Sequence, residues 1–204
     1  MTDGSPRNQR VPRGLMHDLT ALDQALYEAV TVTSTPTLDS ALRRLSAAAD
    51  HSKISFAFAG ALAVWPGRSR RAAALGVAAI GVASATANLL GKRLVRRPRP
   101  HRAVDSPFPG RHVPMPESAS FPSGHTASAV AFAAAVGPAF PAATVPLGLL
   151  ACAVGYSRVH TGVHYPGDVI AGAVLGTGAA ATVLAAAGWS GLNGTVFRPS
   201  GARQ

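Results

Sequence analysis

The chain has 204 residues, enough for one domain of ordinary size, and a formal charge of +10 although only 14% of its residues are charged. Its 48% hydrophobic content is supported by 21 glycines, so helices can approach one another closely. The basic residues sit at the ends of apolar runs, which argues against nucleic acid as a partner and for anionic head groups or phosphorylated substrates. The single cysteine, Cys152, lies inside an apolar run; it excludes a disulfide framework and reads as a small buried hydrophobe.

Residues 1–14 read as a disordered basic tail, with Arg7, Arg10 and Arg13 and no continuous apolar stretch behind them, unlike a cleaved secretory signal. From Leu15 to Val32 the apolar positions Leu15, Leu19, Leu22, Leu26 and Val30 recur at helical steps, while Asp18, Asp23 and Glu28 fall elsewhere on the wheel. This predicts an amphipathic helix that either lies on a membrane surface or covers the side of a helical bundle. Thr35-Pro36 ends it, and a second short helix is expected over 38–49.

Four apolar regions follow. Ile54 to Trp65 stops at Pro66-Gly67, and its polar start (Asp50, His51, Lys53) makes it the weakest span. Ala72 to Gly91 carries no charge across twenty residues, close to the thickness of a hydrocarbon core, and is flanked by arginines and by Lys92 and Arg93. A proline-rich polar loop occupies 92–120. The stretch 123–157 is split by Gly137-Pro138 and Pro141 into two short antiparallel helices, 123–137 and 142–157. A last helix runs over 168–188 with Gly172, Gly176 and Gly178 on a small-residue face, and 191–204 form a loose tail. The fold expected is all-α: a polytopic membrane bundle of about five spans behind an N-terminal amphipathic helix, with residues 15–190 as one membrane-embedded domain. Mean hydropathy is modest, so a soluble bundle is the alternative; the charge-free runs favour the membrane.

Three clusters carry the chemistry. Pro122-Ser123-Gly124-His125 falls where loop gives way to helix, where free backbone N–H groups and the helix dipole attract an oxyanion. Glycine admits a close approach, and Ser123 is able to cap the helix or donate from its hydroxyl. His164 and Asp168 are four apart, so a helical turn brings them together; a carboxylate on one imidazole nitrogen leaves the other as a nucleophile. Ser157-Arg158 just before them offers a guanidinium fork for phosphate oxygens. Among the six basic residues from Lys92 to Arg102, Arg93, Arg96 and Arg97 read as head-group anchors.

Lys92-x6-Arg99-Pro100, Pro122-Ser123-Gly124-His125 and Ser157-Arg158-x5-His164-x3-Asp168 together resemble the signature of the type 2 phosphatidic acid phosphatase superfamily, which includes bacterial acid phosphatases and vanadium haloperoxidases. Every defined position of the three motifs agrees. The resemblance implies His164 as nucleophile, Asp168 as its orienting partner and His125 as proton donor to the leaving oxygen. It implies Lys92, Arg99, Ser123, Gly124 and Arg158 as ligands of the phosphoryl oxygens, with no metal and no cofactor. The expected function is a membrane-integral phosphatase acting on a lipid phosphate or diphosphate through a phosphohistidine. The alternatives are a vanadate-dependent haloperoxidase-like oxidase and a catalytically silent lipid-phosphate-binding membrane protein. The partners expected are the lipid substrate and membrane lipids, with a homo-oligomer left open. Fourteen of the nineteen Lys and Arg fall on the face of the active-site loops, which by the positive-inside rule is cytoplasmic. The resemblance points instead to the extracytoplasmic side of the cell membrane.

Overall fold

The computed structural model describes residues 14–102 and 108–188, within which every regular element is a helix. The basic tail, but for Gly14, and the tail 191–204 lie outside the described residues. Helix α1 spans Leu15–Val32 and α2 Pro36–Ala48, the latter opened by Pro36 in the first helical turn, where a missing N–H costs nothing. A short 3-10 turn, Asp50–Ser52, follows, with His51 and Ser52 both at positive φ (55° and 57°). These two residues turn the chain sharply into α3, Lys53–Ala63.

Helix α4, Arg68–Ala85, continues through a π-helical segment, Thr86–Gly91, into the short α5, Lys92–Leu94, making one helix of 27 residues. A π segment inserts an extra residue per turn and so resets the direction of the side chains that follow it, here Lys92. Helix α6 spans Gly124–Ala139, a 3-10 turn covers Pro141–Ala143, α7 spans Thr144–His160 and α8 Pro166–Ala186. The break at Phe140 lies where the prolines predict it.

Helix α6 is the hub, packed by α4, α7 and α8, while α3 lies on α4 and α2 on α7. Its core is built of small side chains, Ala72, Ala79, Ala83, Ala127, Ala131 and Ala135, filled out by Phe132 and Val136. Small residues suit helices in lipid, where association depends on close packing rather than on escape from water. On α8, a Cβ at Gly172 would lie 2.5 Å from the Ser123 carbonyl oxygen, and one at Gly176 would lie 2.4 Å from that of Ala127. These two glycines let the backbones of α6 and α8 come into direct contact. Gly178, expected on the same face, is exposed with open space around it.

Among the described residues, three helices are long and apolar enough to cross a hydrocarbon core: Arg68–Leu94, Pro141–His160 and Pro166–Ala186. Helices α3 and α6, with 11 and 16 residues, are shorter, so by length three of the expected five segments qualify. Val145, Leu149, Ile170 and Val174 are exposed on the outer faces of α7 and α8, as side chains meeting lipid would be. Cys152 is exposed there too, correcting the buried placement expected from its apolar neighbours, because both faces of such a helix are apolar. In α1 the leucine stripe is also outward, with Leu15, Leu19 and Leu22 exposed, and the side turned to the protein carries Asp23 and Tyr27.

Candidate active site

Alternating helix directions bring the three motifs to one end of the bundle. The C-terminal end of the α4–α5 helix supplies Lys92, the start of α6 supplies Gly124 and His125, the last turn of α7 supplies Arg158, and the start of α8 supplies Asp168. The chain between α2 and α3 adds Asp50 at the same end. A cavity of about 830 Å3 opens here, lined by Lys92, Gly124, His125, Arg158 and Asp50, with Phe56, Val77 and Ile80 along its apolar wall.

His164 does not share a helix with Asp168. It lies in the turn between α7 and α8, and α8 begins at Pro166. The turn nevertheless sets His164 Nδ1 3.4 Å from Asp168 Oδ2, a close polar contact without hydrogen-bond alignment. The other ring nitrogen, Nε2, is 3.2 Å from Arg99 Nη1. Arginine has no acceptor, so Nε2 must present its lone pair and the ring proton belongs on Nδ1, toward the carboxylate. That is the tautomer a nitrogen nucleophile requires. His164 is almost fully buried, and burial pushes its pKa down to about 4; Asp168 opposes the shift, while Arg99 and Arg158 add to it. At neutral pH the imidazole is therefore uncharged and nucleophilic.

Asp168, fully buried, is held from several sides. Its Oδ1 accepts from Arg97 Nη1 at 3.1 Å, while Oδ2 accepts from the Tyr165 backbone N–H at 2.9 Å and from the Ser120 hydroxyl. A buried carboxylate needs such donors, since desolvation without them is expensive. Arg99 is anchored by its Nε to the Ser118 carbonyl (2.8 Å) and by Nη1 to the Val163 carbonyl (2.8 Å). Lys92 Nζ donates to Ser118 Oγ at 3.2 Å. Arg158, 2% exposed, donates to Ser46 Oγ at 2.7 Å and keeps Nε without a partner. Ser123 is fully buried and caps α6, its Oγ accepting from the Thr126 hydroxyl at 3.0 Å. Lys92, Gly124, His125 and Arg158 line the cavity, whereas Ser123, Arg99, His164 and Asp168 lie behind its wall.

Several residues that the motifs do not mark are built into this end. Asp50 Oδ1 is 2.8 Å from His125 Nε2 and 3.6 Å from Arg158 Nη1. Its signal in the sequence is a carboxylate at the polar start that weakens Ile54 to Trp65 as a span. Arg97, expected at the head groups with Arg93 and Arg96, turns inward to Asp168, while the other two are exposed. Nothing in its sequence context separates it from them. His160 Nε2 lies 3.0 Å from Asp39 Oδ1, which is also paired with the buried Arg111 at 3.0 Å. Among the described residues, no group of three or more His, Cys, Asp or Glu is arranged to hold a metal ion.

Comparison with known proteins places the chain among membrane phosphatases by family and fold. The chain is 36% identical to the decaprenylphosphoryl-5-phosphoribose phosphatase of Mycobacterium tuberculosis over 181 residues, covering 86% of this chain and 92% of the relative. It is 43% identical to a lipid A 1-phosphatase of Rhizobium johnstonii over 98 residues, 44% of this chain and 37% of that protein. Its fold matches a transmembrane PAP2-type phosphatidylglycerolphosphate phosphatase from Bacillus subtilis with a TM-score of 0.67 at 22% identity, over 84% of this chain and 87% of the other. LpxE from Aquifex aeolicus matches with a TM-score of 0.66 at 24% identity, covering 80% and 95%. The PAP2 superfamily matches residues 72–191, a stretch that contains all three motifs; with that match and the mycobacterial relative, this chain belongs to the PAP2 superfamily.

Proposed function

We propose that this lipid phosphate phosphatase works without a metal, through a phosphohistidine on His164, and takes a phosphomonoester carried by an isoprenoid lipid. The observation that carries the reading is the orientation of His164, with Nδ1 toward Asp168 and Nε2 toward the guanidinium of Arg99. On substrate binding, Arg99 exchanges Nε2 for a phosphoryl oxygen, and Lys92, Arg158 and the backbone N–H groups at Gly124 take the rest. Nε2 attacks phosphorus and the ester P–O bond breaks. Burial and Arg158 push the pKa of His125 down to about 4 before substrate binds; Asp50 and the anionic substrate together charge it, and it gives its proton to the leaving oxygen. Water then attacks the phosphohistidine; His125 accepts its proton, the P–N bond breaks and inorganic phosphate leaves. Fixed cations supply the charge stabilisation that a divalent ion gives in other phosphatases.

The apolar wall of the cavity supports a lipid substrate. Phe56 and Val77 also line a groove between α3 and α4 with Ala59, Gly60, Ala73 and Ala74, a path for a tail toward the bilayer. The isoprenoid assignment rests on the name of the mycobacterial relatives, which cover nearly the whole chain. We read the chain as a multi-pass protein of the cell membrane, supported by three helices of spanning length among the described residues, and the family resemblance supports the extracytoplasmic side for this end. The test is phosphate release by purified protein in detergent with EDTA, across prenyl phosphosugars, prenyl phosphates, phosphatidic acid and phosphatidylglycerol phosphate. Release that survives EDTA and is lost in His164→Ala is expected. No release, or release only with added divalent metal, overturns the reading.

A further inference from the structure

Arg97 is the unexpected cation of the site. Its Nη1 reaches Asp168 Oδ1 at 3.1 Å while its Nη2 is held by Asp23 Oδ2 of helix α1 at 2.7 Å. The second oxygen of Asp23 accepts from the Gly167 backbone N–H at 2.7 Å, in the first turn of α8 and next to Asp168. The fit is close, since a Cβ at Gly167 would stand 2.9 Å from that carboxylate. The guanidinium carbon of Arg97 lies 4.0 Å from the Tyr165 ring centre, and Tyr165 in turn packs on Tyr27 of α1 with ring centres 5.3 Å apart. The Arg97 carbonyl accepts from the N–H of Ser120, whose hydroxyl is bonded to Asp168.

We infer that Asp23 and Arg97 form a positioning relay that apportions the two oxygens of Asp168, so that α1 is a working part of the active site. With Nη2 fixed by Asp23, the guanidinium meets Asp168 through Nη1 alone and takes only Oδ1. Oδ2 is left to Tyr165 N–H, the Ser120 hydroxyl and His164 Nδ1. Without Asp23, Arg97 is free to form a two-pronged pair with Asp168, the geometry arginine and carboxylate prefer, and draws the carboxylate away from His164. Asp23 also balances the charge of Arg97, which otherwise acts on the imidazole through Asp168. The other charged or titratable groups facing His164 are Arg99, Arg158 and His125, and none of them touches Asp23.

This relay rests on His164 as the nucleophile, and its test separates the two. Full-length protein labelled with 15N at histidine is prepared in detergent as wild type, Asp23→Asn, Arg97→Gln, the double variant and Asp23→Glu. The readouts are kcat and KM for phosphate release with their pH profiles, and the 15N titration of His164, assigned by the signal missing in His164→Gln. Asp23→Asn lowers kcat about tenfold, the usual order for partners that orient a reacting group, with KM unchanged. It moves the His164 midpoint to lower pH, and Arg97→Gln moves it to higher pH. The double variant follows Arg97→Gln rather than adding the two losses, and Asp23→Glu recovers most of kcat. Shifts of the same sign, no shift, or additive losses overturn the relay. If the wild type releases no phosphate, the 15N titrations still decide the relay, and only the phosphatase mechanism falls.

Discussion

Replacing Gly172 with alanine tests whether the α6–α8 contact sets the geometry of the site. The new methyl would stand 2.5 Å from the Ser123 carbonyl oxygen, about 0.9 Å inside ordinary contact. That oxygen cannot swing aside. It accepts from Ala127 N–H at 3.0 Å, and the Ser123 N–H is itself bonded to the Asp168 carbonyl at 2.9 Å. The strain must therefore be relieved by backing α8 away from the start of α6, and Asp168 sits one turn before Gly172 on the moving helix. Overpacking of this kind costs about 1–3 kcal/mol in stability, whereas a misplacement near 1 Å at reacting groups costs about 100-fold in rate. On a common scale 100-fold is about 2.7 kcal/mol, within the same range, so turnover should fall in protein that is still folded at the assay temperature. The assay pairs initial rates of phosphate release in detergent with thermal unfolding followed by tryptophan fluorescence. Gly178→Ala is the control: its Cβ meets nothing within 4 Å, and it should keep wild-type turnover. Wild-type kcat in Gly172→Ala, or equal losses in both variants, would refute the reasoning.

Two further outcomes follow from the charges at the site. The folded pKa of His164 lies near 4, below the unfolded value of about 6.5, so above pH 6.5 both states are neutral. As the pH falls from 6.5 toward 4 the unfolded chain binds the proton first, so stability is lost over that window. The unfolding temperature should drop there in wild type and less in His164→Gln, and the acid limb that His164 imposes on kcat/KM should lie near 4; a limb near 6.5 contradicts its burial. Asp50→Asn removes the anionic partner of His125 and Arg158, and kcat should fall about tenfold, a modest part of a general acid's usual contribution. Because Asp50 is 43% exposed, the melting temperature should hardly change; kcat at the wild-type level would show that His125 needs no such partner.

Much of this protein is legible from residue order, because apolar runs bounded by proline and charge specify helices whatever surrounds them. The break at Phe140, the end of α1 ahead of Thr35-Pro36 and the apolar helix before Lys92 are of this kind, although α2 begins at Pro36, two residues before the expected start. Among the motif residues, His164, Asp168 and Arg158 are legible from their spacing at the ends of such runs, while Lys92 and Arg99 are marked only by the family resemblance; alternating helix directions return the helix ends to one side. What only the tertiary structure decided is which face of each helix turns inward and which distant charges meet. The stripe on α1 specifies an amphipathic helix, yet its leucines face outward and Asp23 faces the protein, because apolar side chains need not be hidden from lipid as they are from water. Arg97 is separated from Arg93 and Arg96 only by the place where the π segment and the loop deliver it, beside a buried carboxylate from 71 residues away. Asp50 meets His125 across 75 residues through two left-handed residues that no periodicity announces. Periodicity reports the local path of the backbone; the pairing of buried charges is settled by the closure of helices upon one another, where the cost of leaving a charge unpaired selects the partner.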